Sequence, residues 1–256
     1  MTGLPSWDTV TSWASQGQQA VELAASRLDP GEVAGPSRLP GWTRGHVLSH
    51  LARNADALVN LLTWARTGTE TRMYASPSDR ADGIEAGAYR ALPEQLADLS
   101  AANQRFIDAA AAVPADRREF TVLSGQGREI PASEVPWLRV REVWLHQVDL
   151  GAAFTIDDIP DAIAWTLAAD VAGWMSSRTG VTAELRATGQ PNAIKLGPDP
   201  SGPDPSGDVT GAVVTGAVVE GTPQRIAGWL TGRVQGPGVP AGLTVTGNLG
   251  ELPRWL

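Results

Sequence analysis

The chain has 256 residues, a net charge of −8, 19% charged and 42% hydrophobic residues, enough for one large domain or two modest ones with a real core. This balance excludes a wholly disordered chain and a coiled coil, no apolar run reaches the roughly 18 residues of a membrane span, and the acidic surplus argues against a nucleic-acid surface. There is no cysteine, which rules out disulfides, Cys-ligated zinc and a protein thiol nucleophile together.

The opening MTGLPSWDTV lacks the basic and apolar regions of a signal peptide, so the expected location is the cytoplasm. A first helix is expected over 6–28, with Trp13, Ala20, Ala24 and Leu28 near helical spacing and Asp29-Pro30-Gly31 as a stop. After the Pro40-Gly41-Trp42 turn, Thr43 is the N-cap of a second helix running to about Gly68, with an apolar stripe of Val47, Leu51, Ala55, Leu58 and Leu62. Residues 69–79 read as a loop, and a third helical stretch covers 80–112, broken at Pro93. Residues 113–134 read as a long connection, and a fourth helix spans 136–150, ended by Gly151.

Four amphipathic helices with a long connection predict a four-helix bundle over 1–154. Beyond it, a helix at 161–178, β-prone pieces at 181–187, 193–196, 209–219 and 243–245, and a short helix at 223–230 predict a smaller α+β domain over 155–256. The fold class is therefore α+β. Two five-residue tandem duplications, GPDPS over 197–206 and TGAVV over 210–219, are too short for a solenoid and read as tolerated surface insertions.

The three histidines carry most of the functional signal. Glu142 and His146 are four apart and Asp149 follows one turn later, so the three fall within about 60° of each other on the helical wheel, with Leu138 and Leu150 on either side. On the second helix His50 sits about 100° from the centre of the apolar stripe and His46 about 140° out. His50 is thus the inner histidine, and His46 reads as a surface or supporting residue. Two imidazoles and a carboxylate suit zinc and leave a coordination position open, although a Glu/His pair at this spacing also forms a plain salt bridge. Among ten tryptophans, Trp42, Trp137, Trp144 and Trp229 read as core or domain-contact residues. Arg225, in the short helix, and Arg233, just past it, are possible carboxylate clamps, with exposure as the default.

Residues 39–56 (LPGWTRGHVLSHLARNAD) and 141–151 (REVWLHQVDLG) resemble the mycothiol-dependent maleylpyruvate isomerase family. The likeness extends through 73–76 (MYAS), Arg80 and 84–88 (IEAGA) to 229–233 (WLTGR). The resemblance implies a DinB-like four-helix bundle, zinc held by His50, Glu142 and His146, and mycothiol as cofactor. It also implies an active-site arginine from the second domain, best matched by Arg233. Asp149 is then either a partner that fixes an imidazole tautomer or a helix-end carboxylate.

The implied reaction is cis–trans isomerisation of a conjugated double bond. Thiolate addition makes a rotatable single bond beside an enolate, and elimination follows. A mycothiol S-transferase acting on an electrophile, or a zinc- and thiol-binding protein without turnover, remains an alternative reading. The expected partners are mycothiol and a small electrophilic substrate, not nucleic acid or a membrane.

Overall fold

Ser6 accepts a hydrogen bond from the Thr9 amide and starts helix α1 (Trp7–Ser26), which buries Val10, Ala14, Gly17, Val21 and Ala25. The computed structural model describes residues 3–76, 78–198, 216–234 and 240–255, and the chain divides into two compact units, Leu4–Phe154 and Thr155–Leu256, the latter joined by the first residues.

In the first unit Thr43 caps helix α2 (Arg44–Thr67), and Gly68 closes it with φ of 77°, a left-handed conformation that needs glycine. Helices α3 (Asp79–Ala88), α4 (Leu92–Ala111) and α5 (Val135–Asp149) follow. The expected third helix is thus two helices. The interruption falls at residues 89–91, ahead of Pro93, which stands in the first turn of α4 where a missing amide hydrogen costs nothing. The expected long connection contains a hairpin of β1 (Thr121–Leu123) and β2 (Glu129–Pro131), paired antiparallel with Val122 opposite Ile130.

Helices α1, α2, α4 and α5 form a closed ring in which α2 packs on α4 and α5 and α1 packs on the same two. This is the four-helix bundle. Gly17 permits the close crossing of α1 and α5, since a Cβ there would lie 2.4 Å from a Val143 methyl, and the Trp144 indole N–H donates to the Trp13 carbonyl at 3.1 Å. Helix α3 lies on the outer face of α2. Gly45 approaches the Ala88 carbonyl there, and the Ser49 hydroxyl donates to the Ile84 carbonyl at 2.8 Å.

One charged side chain crosses the bundle interior. Arg139 on α5 is fully buried and donates to the Leu51 carbonyl (2.9 Å) and Asn54 Oδ1 (2.9 Å) on α2, and to Asn103 Oδ1 (2.6 Å) on α4. The Asn103 amide in turn donates to Glu22 on α1. Burial pulls the Arg139 guanidinium down to about 10, against the upward pull of Glu142, Asp56 and Glu22.

In the second unit, α6 (Asp161–Ser176) and α7 (Pro223–Leu230) pack together beside a four-stranded mixed sheet. Its strands are β3 (Ala183–Ala187), β4 (Ile194–Leu196), β5 (Ala217–Gly221) and β6 (Leu243–Thr246), in the order β4-β3-β5-β6. Strands β3 and β5 are parallel, the other pairs antiparallel, and the alternation on β3 buries Ala183, Leu185 and Ala187. The bodies of both duplications, over 199–215, lie outside the described residues. Among the described residues no helix is long and apolar enough to cross a membrane.

Arg139 ties three helices together, so removing its guanidinium takes the donor from the Asn54 and Asn103 amide oxygens in an apolar interior. Arg139→Met is expected to lower the unfolding free energy by about 3 kcal/mol or more in urea titrations of the metal-free protein. A loss under about 1 kcal/mol would show that water or repacking satisfies those groups.

Candidate metal centre

The two helices that meet at the site are strapped together by the turn preceding α2. The Arg38 amide donates to the Asp149 carbonyl (2.8 Å), Arg44 Nε to the Leu150 carbonyl (3.0 Å) and Arg44 Nη2 to the Gly151 carbonyl (3.3 Å). These bonds satisfy carbonyls at the C-terminal end of α5 that have no partner within the helix. They also fix the height of His50 on α2 against Glu142 and His146 on α5.

The three side chains converge. His50 Nε2 lies 2.8 Å from Glu142 Oε2 and 3.1 Å from His146 Nε2, and His146 Nε2 lies 3.2 Å from the same carboxylate oxygen. A tetrahedral zinc bound at 2.0–2.1 Å sets its donors roughly 3.3 Å apart, so this triangle of 2.8, 3.1 and 3.2 Å is close to one face of such a polyhedron. Its fourth vertex remains for an exogenous ligand. Among the described residues these three form the one His, Asp and Glu cluster with donor atoms this close.

The back of the His146 ring faces Asp149. Asp149 Oδ2 lies 2.9 Å from His146 Nδ1 and the residue is 2% exposed, so it is no surface helix-end carboxylate. A proton on Nδ1 leaves the Nε2 lone pair turned toward the other two donors. His50 presents its other nitrogen to Arg80, whose Nη2 stands 3.5 Å from Nδ1.

The structure removes one branch from each of two open expectations, a surface His46 and a core Trp42. His46 is buried, 6% exposed, and not at the surface. Its amide donates to Thr43 Oγ1, its Nδ1 accepts from the Thr43 amide at 3.2 Å, and its Nε2 meets Glu85 Oε2 at 3.2 Å. Helix α3 covers the outer face of α2, so a wheel centred on one apolar stripe places His46 too far out. Trp42 is half-buried and not a core residue. It stacks on His46 (6.1 Å between centroids) and tilts over His50 (5.5 Å), bordering the donor cluster. Trp137 and Trp144 are buried as expected.

Arg233 lies in the second unit, just after α7, where its Nη1 donates to the Thr231 carbonyl at 2.8 Å and its guanidinium faces the Trp255 ring at 6.0 Å. Arg225 forms an ion pair with Asp157. Tyr74 and Arg80 were given no role from the sequence, because the loop and the first helical turn that hold them have no periodicity to read.

The fold and the donor set define a helical-bundle protein with a candidate centre for one divalent metal. Residues 14–151 match the family model for the mycothiol maleylpyruvate isomerase N-terminal domain. A crystal structure of the mycothiol-dependent maleylpyruvate isomerase is similar at 35% identity over 98% of both chains, with a TM-score of 0.81. A histidine-to-alanine mutant of that isomerase gives 34%, 98% of both chains and 0.81. A comparison with curated proteins returned no match. The chain belongs to the mycothiol-dependent maleylpyruvate isomerase family.

Burial lowers the His50 imidazole from 6.5 to about 4, outweighing the hydrogen bond and charge of Glu142. Burial also opposes ionisation of Glu142, yet hydrogen bonds from His146 and His50 hold it well below 4.5. Burial likewise disfavours charge on His146, but hydrogen bonds to Asp149 and Glu142 raise it above 6.5. In metal-free protein the His50 contribution is therefore complete above pH 6.5 and lost as pH falls from 6.5 toward 4, and Glu142 extends the loss below pH 4.5. The His146 contribution runs the other way: it is complete below pH 6.5 and fades as pH rises through the raised value. Urea titrations in chelator are expected to show an acid loss on the order of 3 kcal/mol from His50, absent in His50→Gln. An identical acid slope in the two proteins would place the titrating group elsewhere.

Proposed function

We propose that this chain is a metal- and mycothiol-dependent cis–trans isomerase of the maleylpyruvate type. The observation that supports it most is the donor triangle of His50, Glu142 and His146, with one position open, in a family whose solved structures are described as that isomerase. The donor set of two imidazoles and one carboxylate favours zinc.

When bound, the metal lowers the pKa of a coordinating thiol, and mycothiol brings the nucleophile that a chain without cysteine lacks. In this reading His50, Glu142 and His146 hold the metal, and Asp149 keeps the His146 proton on Nδ1 so that Nε2 faces inward. Trp42 excludes water from one side of the His50 ring. Arg233 is included on the strength of its WLTGR motif, holding a substrate carboxylate or the charge of the enolate. The partners are small molecules and not nucleic acid, in keeping with the net charge of −8. A reaction that depends on a free thiol belongs in a reducing cytoplasm.

Metal analysis is expected to find about one zinc per chain, with His146→Ala losing most of it and Asp149→Asn weakening affinity by about 10- to 100-fold. Full occupancy in His146→Ala would remove the assignment.

Dialysed zinc-loaded protein is expected to be inactive on maleylpyruvate and to recover on addition of mycothiol. Activity without thiol would point to a general-base mechanism. A stable thiol adduct by mass analysis, with no trans product, would make the protein a mycothiol S-transferase.

A further inference from the structure

Arg80 is an exposed residue in the first turn of α3 whose guanidinium reaches the candidate metal centre. Among the described residues no carboxylate pairs with it, whereas Arg53, Arg72, Arg90 and Arg105 each have one. Its Nη2 lies 3.5 Å from His50 Nδ1, and the half-buried Tyr74 stands close enough to feel its charge.

Tyr74 is itself held. The loop that carries it is pinned to α2 by the Asn60 amide, which donates to the Arg72 carbonyl at 3.1 Å and the Met73 carbonyl at 3.4 Å. The Ala75 amide donates to Asp79 Oδ2 at 3.2 Å, tying the loop to the start of α3.

A guanidinium is shaped for two parallel hydrogen bonds to a carboxylate, and an imidazole nitrogen at the limit of hydrogen-bond distance is a poor substitute. That contact also fails once His50 serves as a ligand. If Nε2 lends its lone pair to a metal, the ring proton sits on Nδ1, which then has nothing to accept with. Arg80 carries donors alone, so its exposed guanidinium is then left to water beside the metal centre, open to an incoming anion.

Charge balance points to what fills it. A divalent metal with Glu142 carries one net positive charge, which a thiolate cancels. Maleylpyruvate, by the chemistry of its two halves, bears a carboxylate at each end, and this dianion needs cationic partners of its own.

Resting on the isomerase reading, we propose that Arg80 binds one carboxylate of the substrate. The reacting double bond is thereby held beside the thiol, with one carboxylate anchored within the helical unit.

Two measurements on zinc-loaded protein test this: calorimetric binding of maleate, a dicarboxylate without the pyruvyl tail, and steady-state kinetics with mycothiol. Arg80→Gln is expected to raise the Kd for maleate and the KM for maleylpyruvate by about tenfold or more, with zinc content unchanged and the KM for mycothiol within about twofold. Arg80→Lys is expected to restore part of the loss as a point charge. Arg72→Gln, at an arginine already paired with Glu70, is the unaffected control. Unchanged maleate binding and KM in Arg80→Gln would overturn the proposal, as would loss of zinc from that variant. If the wild type isomerises nothing yet Arg80→Gln still loses maleate, the isomerase reading falls and the carboxylate site stands.

Discussion

Three Lewis-basic atoms, two imidazole nitrogens and one carboxylate oxygen, are held within 3.2 Å of one another at the edge of an apolar bundle. Lone pairs crowded this closely repel unless a proton or a cation lies between them. Without metal, hydrogen bonds from His50 and His146 to Glu142 supply such protons, while burial makes a further proton on His50 costly. A divalent cation resolves the conflict by satisfying all three donors at once, and much of the first unit serves to hold them in place.

Two sets of polar ties do the holding. Arg139 fastens α5 to α2 and α4 from inside, and Arg38 and Arg44 fasten the end of α5 to the turn before α2 from outside. This accounts for residues in the two diagnostic motifs that carry no donor atom. In LPGWTRGHVLSH, Trp42 packs against both histidines, Thr43 caps the helix, Arg44 reaches the other ligand helix and Gly45 lets α3 approach. In REVWLHQVDLG, Trp144 fills the crossing with α1, and Asp149 both orients His146 and accepts the Arg38 amide hydrogen. The motifs are specific because positions and supports are encoded together.

What could be read from the sequence follows the same physics. Glu142, His146 and Asp149 were legible because one helix turn fixes their common face, and His50 because a boundary position on an amphipathic helix is visible on a wheel. His46 was misplaced because α3 covers a second face of α2, and a single stripe cannot reveal a helix buried on nearly all sides. The break between α3 and α4 was placed at Pro93 because a proline reads alike as a stop or as a first-turn residue. Arg80 and Tyr74 escaped because their positions depend on Asn60 pinning a loop, a tertiary bond with no local signature.

The donors come from segments far apart in the chain. His50 lies 92 residues from Glu142 and 96 from His146, and Arg44 bonds a carbonyl 106 residues away. Such contacts carry a high loop-closure cost and form only when the ring of helices shuts, so no single helix presents the whole centre. An unfolded chain offers a cation only local pairs such as Glu142 with His146. Metal affinity is then a measure of ring closure, and occupancy adds to the folded state a stabilisation that grows with the logarithm of free metal concentration. A metal bound at these three donors would thus brace the closed ring of helices as well as complete the centre.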